Sequence, residues 1–167
     1  DGFKGVIKDY FRRKSQTNLF WISSIVVSKT AIAKVGGFDE RIHYGEDLDL
    51  TFRIIDKFPV AFNNVALSFY NLDAENRAMN HIKPPLQMCL PFYLDKFKID
   101  TYNKNEFIPY LHSFCAGFLL PYYFGNEKER LVSKEVISNL DLKRIKQKYT
   151  LFYKTPFWIG NLLYQLK

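Results

Sequence analysis

The chain has 167 residues, 47% hydrophobic and 25% charged, a balance that suits one folded domain and excludes wholesale disorder. Two cysteines and three histidines exclude a disulfide framework or a cysteine-rich zinc fold. With 24 Lys and Arg against 17 Asp and Glu, the net charge is +7, which favours a polyanionic neighbour such as nucleic acid, anionic lipid or a phosphorylated substrate.

In chain order, Phe3, Val6, Ile7, Tyr10 and Phe11 fall at helical spacing and predict a helix within Phe3 to Lys14. Leu19 to Val27 is rich in β-branched and aromatic residues and predicts a buried strand. Ser28 suits the N-cap of a short helix from Lys29 to Val35, which Gly36-Gly37 stops. A turn over Phe38 to Gly45 leads into a second helix, Glu46 to Lys57, with Leu48, Phe52 and Ile55 inward. Val60 to Phe62 and Ala66 to Tyr70 predict short strands joined at Asn63-Asn64.

After about residue 75 helical signals dominate. Asn105-Glu106 opens a helix reaching Phe124, with Pro109 and Pro121 as places for a bend. Asn126-Glu127 starts another, with Glu129 placed to complete a cap. A basic stretch runs from Asp141 to Tyr153, and Pro156 starts a last short helix. The expected organisation is α+β: a mixed part over 1–75 and a helical extension over 76–167. The chain opens Asp1-Gly2-Phe3 with no charged-then-apolar leader, so no signal peptide is expected, and a start without Met suggests a piece of a longer protein. The longest apolar stretch, Phe114 to Phe124, falls short of the roughly 20 residues a bilayer span needs.

The chemistry concentrates between Val35 and Leu50. Asp39, Glu40, Glu46, Asp47 and Asp49 put five carboxylates within eleven residues, beside Gly36-Gly37 and Gly45. Glu46 and Asp47 fall in the first turn of the predicted helix, where free N–H groups and the macrodipole favour an anion by about 0.3–1 kcal/mol. A carboxylate held there suits a general base that takes a proton from a bound hydroxyl. The ordinary alternative is also available: acidic residues favour any first helical turn, and Asp49 with Arg53 makes a common i, i+4 pair.

The run from Ser23-Ser24-Ile25-Val26-Val27 through Gly36-Gly37-Phe38-Asp39-Glu40 and Gly45-Glu46-Asp47-Leu48-Asp49-Leu50 to Arg53 resembles the second half of a family 2 glycosyltransferase, over about 50 residues from Trp21 to Tyr70. The resemblance implies a GT-A fold, a nucleotide-sugar donor, a glycan or lipid-linked acceptor, inversion at the anomeric carbon and a divalent metal, Mg or Mn. It assigns Asp47 as the base for the acceptor hydroxyl, with Glu46 beside it contacting acceptor or orienting the site. Gly37, Trp21 and Arg77 are the accompanying substrate-binding candidates, Arg77 by stabilising the leaving diphosphate. The family's Asp-x-Asp metal motif is expected upstream of residue 1. Asp47-Leu48-Asp49 has the right letters but lies within the Glu-Asp helix and is not taken as that motif. The chain by itself is expected to be inactive, to bind no metal and to self-associate.

Other residues carry weaker signals. His81 is a weak metal candidate, because a lone His is more often structural. His43 and His112 have no evident partner. A strand Trp such as Trp21 is more often core, and Cys89 and Cys115 read as buried apolar residues of a reducing compartment. Residues 128–167 hold nine Lys or Arg against three acidic residues, together with many aromatic and aliphatic side chains. Such a tail suits peripheral contact with an anionic membrane or, equally, a solvated helical bundle. Nucleic acid fits less well, since no matching motif accompanies the charge. The leading expectation is a bacterial glycosyltransferase acting in the cytoplasm, at the inner face of the membrane where its acceptor is lipid-linked. The alternative is a non-catalytic helical interaction or membrane-docking module with a degenerate transferase remnant.

Overall fold

The computed structural model describes residues 2–17, 19, 21–69, 71–73, 75 and 106–166. The architecture is α+β, with seven α-helices and a two-stranded sheet among the described residues. The chain divides into two compact units, Asp1–Cys89 and Leu90–Lys167.

In the first unit, strand β1 (Lys4–Ile7) is followed by helix α1 (Tyr10–Lys14), a single 3-10 turn (Ile22–Ser24), α2 (Lys29–Val35), α3 (Glu46–Lys57) and β2 (Val60–Asn63). The predicted Phe3–Lys14 helix is therefore half right. Its first part pairs antiparallel with β2, Lys4 opposite Asn63 and Ile7 opposite Val60. Phe3 stacks on Phe62 across this ladder at 6.5 Å between centroids. The spacing of the apolar residues fits a helix, but the ladder satisfies the backbone of Lys4–Ile7 with a partner that local spacing does not reveal.

Two predicted strands do not form among the described residues. The described residues of Leu19–Val27, all but Phe20, hold the 3-10 turn and otherwise irregular backbone, and Val26 is 99% exposed. Residues 66–69 are also irregular, with Phe69 97% exposed, and Tyr70 lies outside the described residues. Strand propensity expresses itself only against a neighbouring strand, and among the described residues β1 and β2 pair with each other alone.

Helices α2 and α3 form where their local signals place them. The Ser28 hydroxyl accepts the Ala31 N–H at 3.1 Å, and Gly36 ends α2 in the left-handed conformation at φ 85°. Gly37 follows at φ 73°, which a side chain would strain. On α3, Phe52 and Ile55 are buried as expected, while Leu48 is only half-buried. Phe11 of α1 meets the Phe52 ring edge-on at 6.2 Å, joining α1 to α3.

The second unit is helical among its described residues: α4 (Phe107–Tyr123), α5 (Glu127–Ser138), α6 (Gln147–Lys154) and α7 (Phe157–Gln165). Pro109 sits in the first turn of α4, where its missing N–H costs nothing, and Pro121 falls in the last turn. Asn126 and Glu129 exchange hydrogen bonds at 3.0 Å in the expected capping box. Pro156 is the residue before α7, one position outside the predicted start. Phe107, Leu111, Cys115 and Leu119 of α4 are fully buried, and Val136 and Ile137 of α5 are also core. A ladder of rings, Tyr110, Phe114, Phe118 and Tyr122, runs along α4 with centroids 5.8–6.3 Å apart.

Polar anchors hold the segment between α5 and α6 against α4. His112 Nδ1 accepts the Asp141 N–H at 3.1 Å, and Ser113 Oγ accepts the Lys146 N–H at 3.1 Å. Tyr153 of α6 donates its hydroxyl to the Ala116 carbonyl. Burial lowers the pKa of His112 from its usual value, Arg144 adds to the shift and Asp141 opposes it. His112 therefore holds its proton more weakly in the folded chain than in the unfolded one, where the pKa is about 6.5. Its contribution is complete above about pH 6.5 and is lost as the pH falls through the lower folded value. Thermal melts across this range should show declining stability for the native chain. His112→Asn, which keeps an acceptor without titrating, should flatten that decline; an unchanged profile would exclude His112 as its source.

Candidate active site

Helix α3 begins at Gly45, which adopts φ 79° and offers no side-chain cap. Its first turn carries Glu46, Asp47 and Asp49, and the three side chains have different fates. Asp49 is 0% exposed and faces Arg53, with Arg53 Nε donating to its Oδ2 at 2.8 Å. Glu46 is exposed to solvent. Asp47 is half-buried; its Oδ1 accepts the Leu48 N–H at 2.7 Å, and the Thr51 hydroxyl caps its carbonyl at 2.6 Å. Among the described residues no cation pairs with Asp47.

Arg53 is the organising side chain. Besides Asp49, it donates Nη1 to the Val35 carbonyl at 2.5 Å and Nη2 to the Gly37 carbonyl at 2.7 Å. One guanidinium thereby satisfies carbonyls at the end of α2 and in the glycine turn while gripping a carboxylate on α3. Five donors in a rigid fork make this geometry available to Arg and not to Lys. The ordinary i, i+4 reading of Asp49 and Arg53 is correct as far as it goes. The two carbonyls, 16 and 18 residues away, carry no local signal.

Asp39 is also engaged. Its Oδ1 accepts Arg41 Nε at 2.8 Å and its Oδ2 accepts Arg41 Nη2 at 2.6 Å, a bidentate pair that raises the Arg41 pKa. Of the five carboxylates, two are thus committed to Arg partners. Glu40 and Glu46 are exposed, which leaves Asp47 as the half-buried carboxylate without a cation among the described residues.

The remaining candidates are distributed as follows. Gly37 holds its turn by conformation, and its carbonyl is taken by Arg53. Trp21 is neither in a strand nor in the core: it is exposed and caps the 3-10 turn, its carbonyl accepting the Ser24 N–H and hydroxyl. Arg77, His81 and Cys89 lie outside the described residues. His43 is exposed, and Cys115 is buried, as expected. His112, which has no evident partner in the sequence, has one in the Asp141 backbone.

The described residues do not fit a divalent metal site. Among them no three His, Cys, Asp or Glu side chains converge, and Asp49 of the Asp47-Leu48-Asp49 triplet is turned onto Arg53. No described helix is long and apolar enough to cross a membrane. No family model, curated protein or solved structure matches this chain.

Proposed function

We propose that this chain is the acceptor-side part of an inverting glycosyltransferase of GT-A architecture. Asp47 takes the proton of an acceptor hydroxyl as that oxygen attacks the anomeric carbon of a nucleotide sugar. The glycosidic bond forms, the bond to the diphosphate breaks, and the nucleoside diphosphate leaves. Glu46, one residue away and exposed, contacts the acceptor. Trp21, which is exposed, contacts a sugar through its ring, and Arg77 stabilises the leaving diphosphate.

One observation carries the reading: Asp47 is half-buried, without a cation among the described residues, at the start of a helix that Arg53 ties to the glycine turn. A proton acceptor needs a carboxylate not already neutralised by a partner, on an element that holds its place. Asp39 and Asp49 fail the first condition, and the exposure of Glu40 makes it the less confined group.

The test is sugar transfer by the polypeptide that contains this chain. It is incubated with a panel of radiolabelled nucleoside diphosphate sugars and with glycan and lipid-linked acceptors. Label transferred with inversion supports the proposal. Absence of transfer with every donor, together with no donor binding by calorimetry, favours the non-catalytic interaction module.

A further inference from the structure

Helix α7 carries no charged residue. Its inner side is well used: Phe157 and Tyr164 pack on Phe124 at 5.7 and 4.9 Å, and a Cβ on Gly160 would lie 3.1 Å from that ring. Its outer side is apolar as well. Trp158 is 71% exposed, Leu162 58% and Leu166 77%, at positions i, i+4 and i+8, so they form one stripe. A helix on a protein surface ordinarily turns polar residues outward. Trp158 has no ring or hydrogen-bond partner among the described residues.

Basic charge around this helix points to its occupant: the Arg130 guanidinium lies 4.4 Å from the Phe157 ring of α7, and Lys148 Nζ lies 4.8 Å from the Tyr149 ring on α6. Residues 128–167 hold nine basic and three acidic residues. Lys148 and Lys154 are exposed on α6, flanking exposed Leu151 at helical spacing. Lys154 precedes Trp158 by four residues, so their Cα atoms are at most about 14 Å apart. Arg144 is held by Asp141 at 3.1 Å and contributes less. A nine-residue helix is about 14 Å long, and its stripe falls well short of the roughly 800 Å² per partner that a stable dimer needs. A second copy would also bring the same lysines together.

We propose that α7 rests on an anionic membrane surface, with Trp158, Leu162 and Leu166 in the interface and Lys148 and Lys154 at lipid phosphates. Apolar side chains supply a salt-insensitive contribution and lysines a screened one. The inference is independent of the transferase reading, since lipid binding requires no sugar chemistry.

The test uses the full chain carrying Trp21→Phe, which leaves Trp158 as the sole tryptophan. Vesicles of phosphatidylcholine alone are compared with vesicles that also contain phosphatidylglycerol, by sedimentation and by Trp emission. Binding to the anionic vesicles with a blue shift is expected. Lys148→Gln with Lys154→Gln should weaken it roughly thirtyfold at low salt and much less at high salt. Leu162→Gln with Leu166→Gln should abolish the blue shift. All four positions are exposed, and circular dichroism checks that each variant keeps its helices. Equal binding to both vesicle types, binding that ignores both pairs of substitutions, or no binding would overturn the proposal. Vesicle-free self-association that disappears in the leucine pair, without lipid binding, would assign the stripe to a second copy instead.

Discussion

Asp47→Asn is expected to lower sugar transfer by at least about a hundredfold, the usual scale for a general base. The substitution keeps the volume of the side chain and an oxygen able to accept the Leu48 N–H, so α3 should form as before. What it removes is the basic oxygen. Donor binding should be nearly unchanged, because the acceptor proton plays no part in it. Glu46→Gln provides the comparison: an exposed residue that contacts acceptor should raise KM more than it lowers kcat. The measurement is steady-state transfer with saturating donor and varied acceptor. Turnover by Asp47→Asn within a few-fold of the native protein would remove Asp47 from the mechanism.

The second large effect is on stability. Asp49→Ala leaves the Arg53 guanidinium, whose side chain is 19% exposed, without its buried carboxylate. Breaking such a pair typically costs about 3–5 kcal/mol, against a total stability of about 5–15 kcal/mol for a typical domain. Urea denaturation of the chain should therefore show a large fall in the midpoint. Replacing both partners separates the ion pair from the clamp. Where a buried pair does nothing but pair, an apolar replacement of both members is often neutral. Here Asp49→Leu with Arg53→Met would still strand the Val35 and Gly37 carbonyls, so a deficit of about 1–3 kcal/mol should remain. A loss below about 1 kcal/mol for Asp49→Ala would show that Arg53 is held by the two carbonyls alone.

These expectations show what was legible in the sequence. The bounds of α2 and α3 were, because Ser28, Gly36 and Gly45 act within a few residues of the backbone they terminate. The Asn126 and Glu129 box was legible for the same reason. The burial of Asp49 was not, since hydropathy places a carboxylate outside and Leu48 inside. Its inward position depends on carbonyls that Arg53 reaches only when α2 and α3 are packed. The strand at Lys4–Ile7 was missed because its partner lies far along the chain, and two other β-rich segments stayed irregular. In the candidate site, the cluster of carboxylates was visible at once. Their sorting into paired and unpaired groups required the positions of Arg41 and Arg53.

The Arg53 clamp also bears on the order in which the first unit assembles. Its longest bond closes 18 residues, from Arg53 back to Val35. The sheet must instead bring Ile7 to Val60, a separation of 53 residues by their numbers. Loop-closure entropy makes the longer ring costlier by about 1 kcal/mol, and both helices are bounded by local signals, α2 by the Ser28 cap and Gly36 and α3 by the Gly45 turn. The α2–turn–α3 hairpin is therefore the natural nucleus, with strand pairing completed afterwards. On that account Asp49→Ala should slow refolding nearly in proportion to the stability it removes, whereas shortening Val60 in β2 to Ala should chiefly accelerate unfolding.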